Sequence, residues 1–527
     1  MNTPLHHLAD AHNARFGTSG VRGLVSDLTD AVCYAYAQAF LRSVAAASPR
    51  IVVGHDLRPS SPRIAAACIQ AMRDAGREAV FVGALPTPAL AYYCALHGAA
   101  GIVVTGSHIP FDRNGIKFYR ADGEIDKADE QAILDAEVAV PEALSPAPLP
   151  AVDAAALEAY VARYTHFFGM GALAEMRVAL YEHSSVARDV LRTVFERLGA
   201  EVLSLGRTDT FVPIDTEAVR AEDIAQARAW AQAHRFDAIV STDGDADRPL
   251  IGDETGTWLR GDVVGILCAQ YLHADVVVTP VSSNTAVEKC GAFRQVLRTR
   301  IGSPYVIAGM DTQRGAGRVV GYEANGGFLL GSDVECGETI GASAAETAGV
   351  GAGSVGTGGF GSAEPGSTGF GSAEVATDGP EATQKCLPAG AARLKALPTR
   401  DSLLPMLALL AMARAKGCPV SQLADALPRR FTASDRIQNV PTEFSRALIA
   451  RLQQTPAEAA ALMAPDAGDV IAIDTTDGLR TSFATGEIVH LRPSGNAPEL
   501  RCYAEAADEP RARALCDACL ARIAASA

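Results

Sequence analysis

"EAVFVGALPTPALAYYCALHGAAGIVVTGS", residues 78–107, reads as a strand, a helix and a second strand. "EAVFVGA" is a short apolar run with β-branched and aromatic residues. "TPALAYYCALHG" is helical, and "AAGIVVTGS" is again apolar until it stops at Ser107. Upstream, "PRIVVGHD" (49–56) is a buried strand, and "SSPRIAAACIQAMRDAG" (60–76) is a helix that starts at a serine cap and ends at Gly76. The order βαβαβ predicts a largely buried sheet flanked by helices.

The same grammar recurs twice. "MRVALYEH" (176–183), "SVARDVLRTVFERLGA" (185–200), "EVLSLG" (201–206), "AEDIAQARAWAQAHR" (221–235) and "FDAIVSTDGDADR" (236–248) alternate strand and helix. A third unit opens with "GDVVGILCAQYLHADVVVTP" (261–280) and holds the strand "GRVVGYEANGGFLL" (317–330). Each unit puts polar residues where a strand stops, the place where open α/β sheets bind ligands. Between them, residues 139–154 form a proline-rich boundary. Residues 341–378 carry eleven glycines between 341 and 371 and a near-repeat, "GGFGSAE" then "TGFGSAE", and read as a flexible surface insertion. "LKALPTRDSLLPMLALLAMARAKG" (394–417) reads as a loop followed by a helix, and "LPRRFTASDRIQNVP" (427–441) as a hinge before a last compact unit. The expected division is 1–150, 151–255, 256–427 with the insertion at 335–390, and 428–527.

A chain of 527 residues is too long for one core, consistent with about three or four domains. Its 46 Lys and Arg against 61 Asp and Glu leave a net charge of −15, which argues against a nucleic-acid partner. The 11 cysteines form no disulfide or zinc framework. The one CxxC, Cys516 and Cys519, lies in a helical stretch, as in a reducing compartment. No signal pattern and no membrane-length apolar run is present, so the expectation is a cytoplasmic protein with no membrane partner.

"STDGDADR" (241–248) spaces Asp243, Asp245 and Asp247 at alternate positions after an apolar strand. Carboxylates this close repel unless a cation joins them, and oxygen ligands in a tight loop suit magnesium or calcium. A calcium-sensor loop is excluded, because Arg248 stands where its glycine belongs and a strand precedes the loop. A solvated acidic turn is the plainer alternative. "VVTGSHIPFDRNGIKFY" (103–119) sets Ser107 beside His108, with no nucleophile-elbow pattern around it. Taken alone it is a strand followed by an Asn-Gly turn. "RFGTSGVRG" (15–23) and "RPSGNAPELR" (492–501) are glycine-bearing loops with arginines, suited to phosphate oxygens. "GYEANGG" (321–327) sets a glutamate and an amide in a glycine-rich loop, suited to sugar hydroxyls. Neither a Walker loop nor a dinucleotide fingerprint occurs.

In this order, these loops resemble the α-D-phosphohexomutase superfamily, the bacterial phosphomannomutases and phosphoglucomutases. The resemblance spans nearly the whole chain apart from the insertion. It implies three related α/β domains plus a C-terminal TATA-box-binding-protein-like α+β domain around a central cleft. By the same likeness, Ser107 carries a phosphoryl group and is a metal ligand with Asp243, Asp245 and Asp247. His108, Lys117 and Arg22 lie at the reacting oxygens, with Lys117 or His108 as the acid/base. Arg248, Glu323 and Asn325 meet the sugar phosphate, and Arg492, Ser494, Gly495, Asn496 and Arg501 hold its distal phosphate. Mg2+ and a hexose 1,6-bisphosphate are the implied cofactors. A hexose 6-phosphate and 1-phosphate are the implied substrates, mannose ahead of glucose and glucosamine, in a monomer or homodimer. Segment 428–436 is the implied closure hinge. The chain departs from the family pattern at Ile109, at Ala324-Asn325, at Gly327 where some members have histidine, and at Asn496-Ala497. A magnesium phosphatase and a catalytically inactive sugar-phosphate-binding protein are the competing readings.

Overall fold

The computed structural model describes residues 3–17, 20–335, 393–494 and 498–526. The expected glycine-rich insertion, and Gly495 and Asn496 of the terminal loop, lie outside the described residues.

Three of the sheets share one plan. In the first, Glu78–Ala84, Arg50–His55, Ala100–Val104 and Arg113–Arg120 are neighbours in that order, the first two junctions parallel and the last antiparallel. The second repeats this with Glu201–Leu205, Arg177–Tyr181, Ala238–Thr242 and Pro249–Gly252. The third repeats it again with Gln295–Thr299, Val276–Pro280, Val319–Tyr322 and Phe328–Leu330. In chain order each sheet runs second, first, third, fourth. The turn from the third strand into the antiparallel fourth therefore recurs at one place in each unit. Ser107, Asp243 and Glu323 all sit in that turn.

The strands are apolar on both faces because helices cover both. Along the first sheet the two faces alternate: Val52 and Val103 pack into a core that runs through the first three units, whereas Ile51, Val53, Ile102 and Val104 pack into a second core on the other side. Each such buried Val or Ile contributes about 1.5–3 kcal/mol.

The last unit is built differently. Its five strands, Phe431–Gln438, Glu499–Ala506, Ile488–Pro493, Leu479–Phe483 and Val470–Asp474, are antiparallel throughout. Helices Thr442–Gln454, Pro456–Met463 and Glu509–Ser526 close its separate core. This is the expected α+β layout. Among the described residues no helix is long and apolar enough to cross a membrane.

Three local expectations are corrected. Ser60 makes no side-chain cap to the helix Ser61–Asp74; instead its hydroxyl accepts from Asn114 Nδ2 at 2.8 Å, and Ser61 Oγ donates to Asp56 Oδ1 at 2.6 Å. Residues 397–401, expected as loop, form the strand Leu397–Asp401, which adds to the third sheet beside Phe328–Leu330. Most of the expected hinge 428–436 is strand, paired residue for residue with Glu499–Ala506. The chain crosses between units at 428–430, where Arg430 reaches Glu505 at 2.5 Å and its carbonyl accepts from Asn284 Nδ2 at 2.6 Å.

Candidate active site

The strand Ala100–Val104 is buried along its length and delivers Ser107 in a left-handed conformation, φ 51°. Such a backbone is costly for a residue with a side chain and persists only where its surroundings enforce it. Here Ser107 N donates to Thr105 Oγ1 at 2.8 Å. More decisively, Arg58 lies under the loop, 1% exposed, and donates to four of its carbonyls. Nη1 reaches Pro110 O and Arg113 O at 2.8 Å each, and Nη2 reaches Ser107 O at 3.0 Å and Ile109 O at 2.5 Å. Asp56 Oδ2 lies 3.4 Å from Arg58 Nε and also accepts from Gly106 N at 3.2 Å. A Cβ at position 106 would come within 2.4 Å of Arg58 Cζ, so glycine is needed there for the guanidinium to fit.

Ser107 Oγ donates to Asp243 Oδ2 at 2.5 Å across the boundary between units. Asp243, Asp245 and Asp247 are at most 1% exposed, and one oxygen from each lies within 4.8 Å of the others. Two of their oxygens, Asp245 Oδ1 and Asp247 Oδ1, are buried with no hydrogen-bond partner. Burial, then the charges of Asp245 and Asp247, push the Asp243 carboxyl well above the usual range. Burial would also raise Asp247, but Arg400, Lys117 and Arg248 outweigh it and hold that carboxyl below the usual range. Buried, mutually repelling carboxylates with unsatisfied oxygens are the donor set of a hard divalent cation, so the residues fit magnesium.

Lys117 Nζ donates to Asp245 Oδ2 and Asp247 Oδ2 at 2.7 Å each. Burial opposes its charge, but the two aspartates prevail and raise it above the ordinary lysine value, so it stays an ammonium. His108 Nδ1 lies 3.2 Å from Ser107 Oγ and 3.0 Å from Arg248 Nη1. Burial and Arg248 lower its pKa to about 3, leaving a neutral imidazole. Arg248 Nε sits 3.6 Å from Asp247 Oδ1. Arg22 is lowered to about 10 by burial and by the charges of Arg248 and Arg400. Ser107, His108, Lys117, Arg22, Arg248 and the three aspartates are thus brought together.

Glu323 joins them through Arg400, whose Nη1 donates to Glu323 Oε2 at 3.0 Å and Nη2 to Asp247 Oδ2 at 2.7 Å. Asn325 makes two contacts that shape the glutamate loop. Its side-chain oxygen accepts from Gly327 N at 3.0 Å and its carbonyl from Thr216 Oγ1 at 2.7 Å, so it shapes its own loop.

Arg492 and Arg501 lie on the C-terminal sheet, and neither has an ion pair to the central cluster. Arg492 Nε is 2.8 Å from Asp477 Oδ2. Arg436, Arg501 and Arg492 are directly opposite one another on three adjacent strands. Facing like charges destabilise a sheet; here Glu499, 3.5 Å from Arg436 and 3.6 Å from Arg501, offsets part of the repulsion. Ser494, two residues beyond Arg492, is buried, and its N–H donates to Glu499 O at 2.9 Å.

Sequence reasoning missed Arg58, Arg400, Arg436 and Thr87. Thr87 N and Oγ1 hold Asp245 through its carbonyl at 2.9 Å and Oδ2 at 2.7 Å. The one available signal was the short "HDLRPSS" (55–61), which ends a strand in the same manner as the recognised loops.

Three related sheets that meet at a serine, an aspartate triad and a glutamate loop define a phosphosugar mutase, and comparison with known sequences agrees. Descriptions of the phosphoglucomutase/phosphomannomutase alpha/beta/alpha domains I, II and III match residues 13–139, 158–256 and 260–348, and that of the C-terminal domain matches 439–522. The chain is 43% identical to a phosphomannomutase of Sinorhizobium fredii (strain NBRC 101917 / NGR234), over 94% of this chain and 96% of that one. It is 42% identical to a phosphomannomutase of Salmonella muenchen, over 93% and 91%. A phosphoglucomutase/phosphomannomutase family protein from Burkholderia thailandensis shares the fold, with a TM-score of 0.66 at 18% identity over 97% of each chain. The chain belongs to the phosphoglucomutase/phosphomannomutase family and is a phosphohexomutase.

Proposed function

We propose that the chain interconverts mannose 6-phosphate and mannose 1-phosphate, with Ser107 as phosphoryl carrier and mannose 1,6-bisphosphate as intermediate. The observation that carries this reading is the Ser107 Oγ–Asp243 Oδ2 contact of 2.5 Å. It sets a nucleophilic oxygen against a buried aspartate triad with unsatisfied oxygens. The likeness to two phosphomannomutases along nearly the whole chain supports mannose as the sugar.

Asp243, Asp245 and Asp247, with the phosphoryl group on Ser107, would hold Mg2+, which supplies charge neutralisation for phosphoryl transfer. Lys117, Arg248 and Arg22 face the same anionic group as fixed cations. Lys117, held protonated by two carboxylates, serves as a charge and a proton donor rather than as a base. Neutral His108, with Nδ1 3.2 Å from Ser107 Oγ, is the proton acceptor of the pair His108 and Lys117. Phosphoserine gives its phosphoryl group to the free hydroxyl of the sugar phosphate. The bisphosphate turns over, and its other phosphate returns to Ser107 Oγ. Glu323 accepts from sugar hydroxyls. Arg492, Ser494 and Arg501, with Gly495 and Asn496, hold the phosphate that is not reacting, and Arg436 extends that row. The division of the chain at 150, 255 and 427 belongs to this reading; one sheet of four or more strands falls within each part.

The test is turnover of mannose, glucose and glucosamine 1-phosphates with Mg2+ and a bisphosphate primer, read beside intact mass. Mannose should lead, and Ser107→Ala should lose both the activity and one phosphate of mass. Equal rates on the three sugars would refute the sugar assignment, and free phosphate release without interconversion would favour a phosphatase.

A further inference from the structure

Two consecutive glycines close the glutamate loop, and they are there for different reasons. Gly326 has φ +88°, a backbone that side chains rarely adopt. Gly327 has no such requirement, since its φ is outside the left-handed region. What excludes a side chain at 327 is Arg400. A Cβ there would lie 2.7 Å from Arg400 Cδ and 2.9 Å from Cγ. Those atoms cannot swing aside cheaply. The arginine is rooted in the strand Leu397–Asp401, is 3% exposed, and is anchored at its far end on both Asp247 and Glu323.

We propose that Arg400 is the positioning residue that sets the sugar-reading carboxylate of Glu323 against the metal-binding Asp247, with Gly327 as the vacancy it requires. This deepens the mutase reading and rests on it. One planar guanidinium spans the two carboxylates, a geometry that a lysine cannot reproduce. With Oε2 engaged by Arg400, Oε1 is the oxygen Glu323 offers to a hexose hydroxyl. The sugar ring is thereby registered to the phosphoryl site through a single side chain. Discrimination between hexoses that differ in the orientation of one hydroxyl depends on that registration, because a misplaced acceptor leaves a buried polar group unpaired.

The test is a double-mutant cycle of Gly327→Ala and Arg400→Ala, with kcat and KM measured for mannose and glucose 1-phosphates. Gly327→Ala alone should raise KM about tenfold or more, and should change it by less than about twofold when Arg400 is already alanine. Arg400→Ala alone should raise KM and narrow the preference between the two sugars, and Arg400→Lys should restore only part of that loss. Additive effects of the two substitutions overturn the proposal. So does an Arg400→Ala enzyme that loses kcat equally on both sugars with KM unchanged. A wild-type enzyme silent on every hexose phosphate would instead refute the mutase reading. The same cycle read in melting temperature would still decide whether the two positions are coupled.

Discussion

Replacing Arg58 with methionine tests whether the serine loop is held from beneath. The substitution keeps most of the apolar stem and removes the guanidinium that donates to the carbonyls of Ser107, Ile109, Pro110 and Arg113. It also strands Asp56, whose carboxyl burial already raises above its ordinary value with Arg58 as the main opposing charge. Breaking a buried ion pair from one side costs about 3–5 kcal/mol. Asp56 keeps its contacts from Ser61, Gly106 and the backbone N–H of residue 58, and can take up a proton. The net loss should therefore be about 2–3 kcal/mol, a fall of roughly 4–12 °C in Tm. Catalysis should suffer more, because a loop released by about 1 Å costs on the order of 100-fold in rate. The assay is mannose 1-phosphate turnover at saturating Mg2+, with a thermal melt and the phosphoserine content of the same sample. Arg58→Lys separates the two effects, since an ammonium can face Asp56 but cannot span four carbonyls. It should recover stability and not kcat. A kcat within about threefold of wild type in Arg58→Met, beside the expected drop in Tm, would refute the clamp.

Mg2+ should raise the melting temperature by relieving repulsion among the triad. Asp245→Asn should lose most of the turnover and most of that Mg2+-dependent shift, whereas Thr87→Val should weaken both in part. Arg436→Ala and Arg501→Ala should raise KM for the sugar phosphate with little change in kcat, because the row they form lies away from the reacting oxygens; an effect on kcat alone would contradict this. Burial lowers His490 in the C-terminal sheet to about 4. A folded-state value below the unfolded one means that the unfolded chain binds more protons, so stability present above about pH 6.5 is lost as pH falls toward 4. At pH 5 the cost is about 2 kcal/mol, and melts of wild type and His490→Gln between pH 7.5 and 5 should converge by that amount.

The sequence made the three α/β units legible because their strands are uniformly apolar and their helices are bounded by Gly, Pro and Ser. Ser107 and the aspartate triad could be read because each stands in a compact loop with its own local pattern, and Lys117 because it follows the serine loop closely, in the strand Arg113–Arg120. Arg58 and Arg400 could not. Each is a lone arginine whose meaning lies in partners far along the chain, 49 residues away for Arg58 and Ser107 and 153 for Arg400 and Asp247. Residues 397–401 were hard to read for a related reason. A strand of five residues that contains proline has too little periodicity to stand out, and only the neighbour Phe328–Leu330 makes it a strand. Ser60 and Ser61 show the opposite error. Their local pattern favours a helix cap, but Asp56 and Asn114 offer closer partners.

The shared strand order has a practical meaning for redesign. Because each α/β unit presents polar residues in one equivalent turn, the scaffold offers three sockets of the same shape, which the proposed function fits with a carrier, a cation cradle and a sugar reader. Exchanging the reader alone should leave the other two in working order, provided that the transplant carries residues 321–330 together with the strand Leu397–Asp401. A graft of the loop without its arginine would transfer the letters of a specificity and leave its grammar behind.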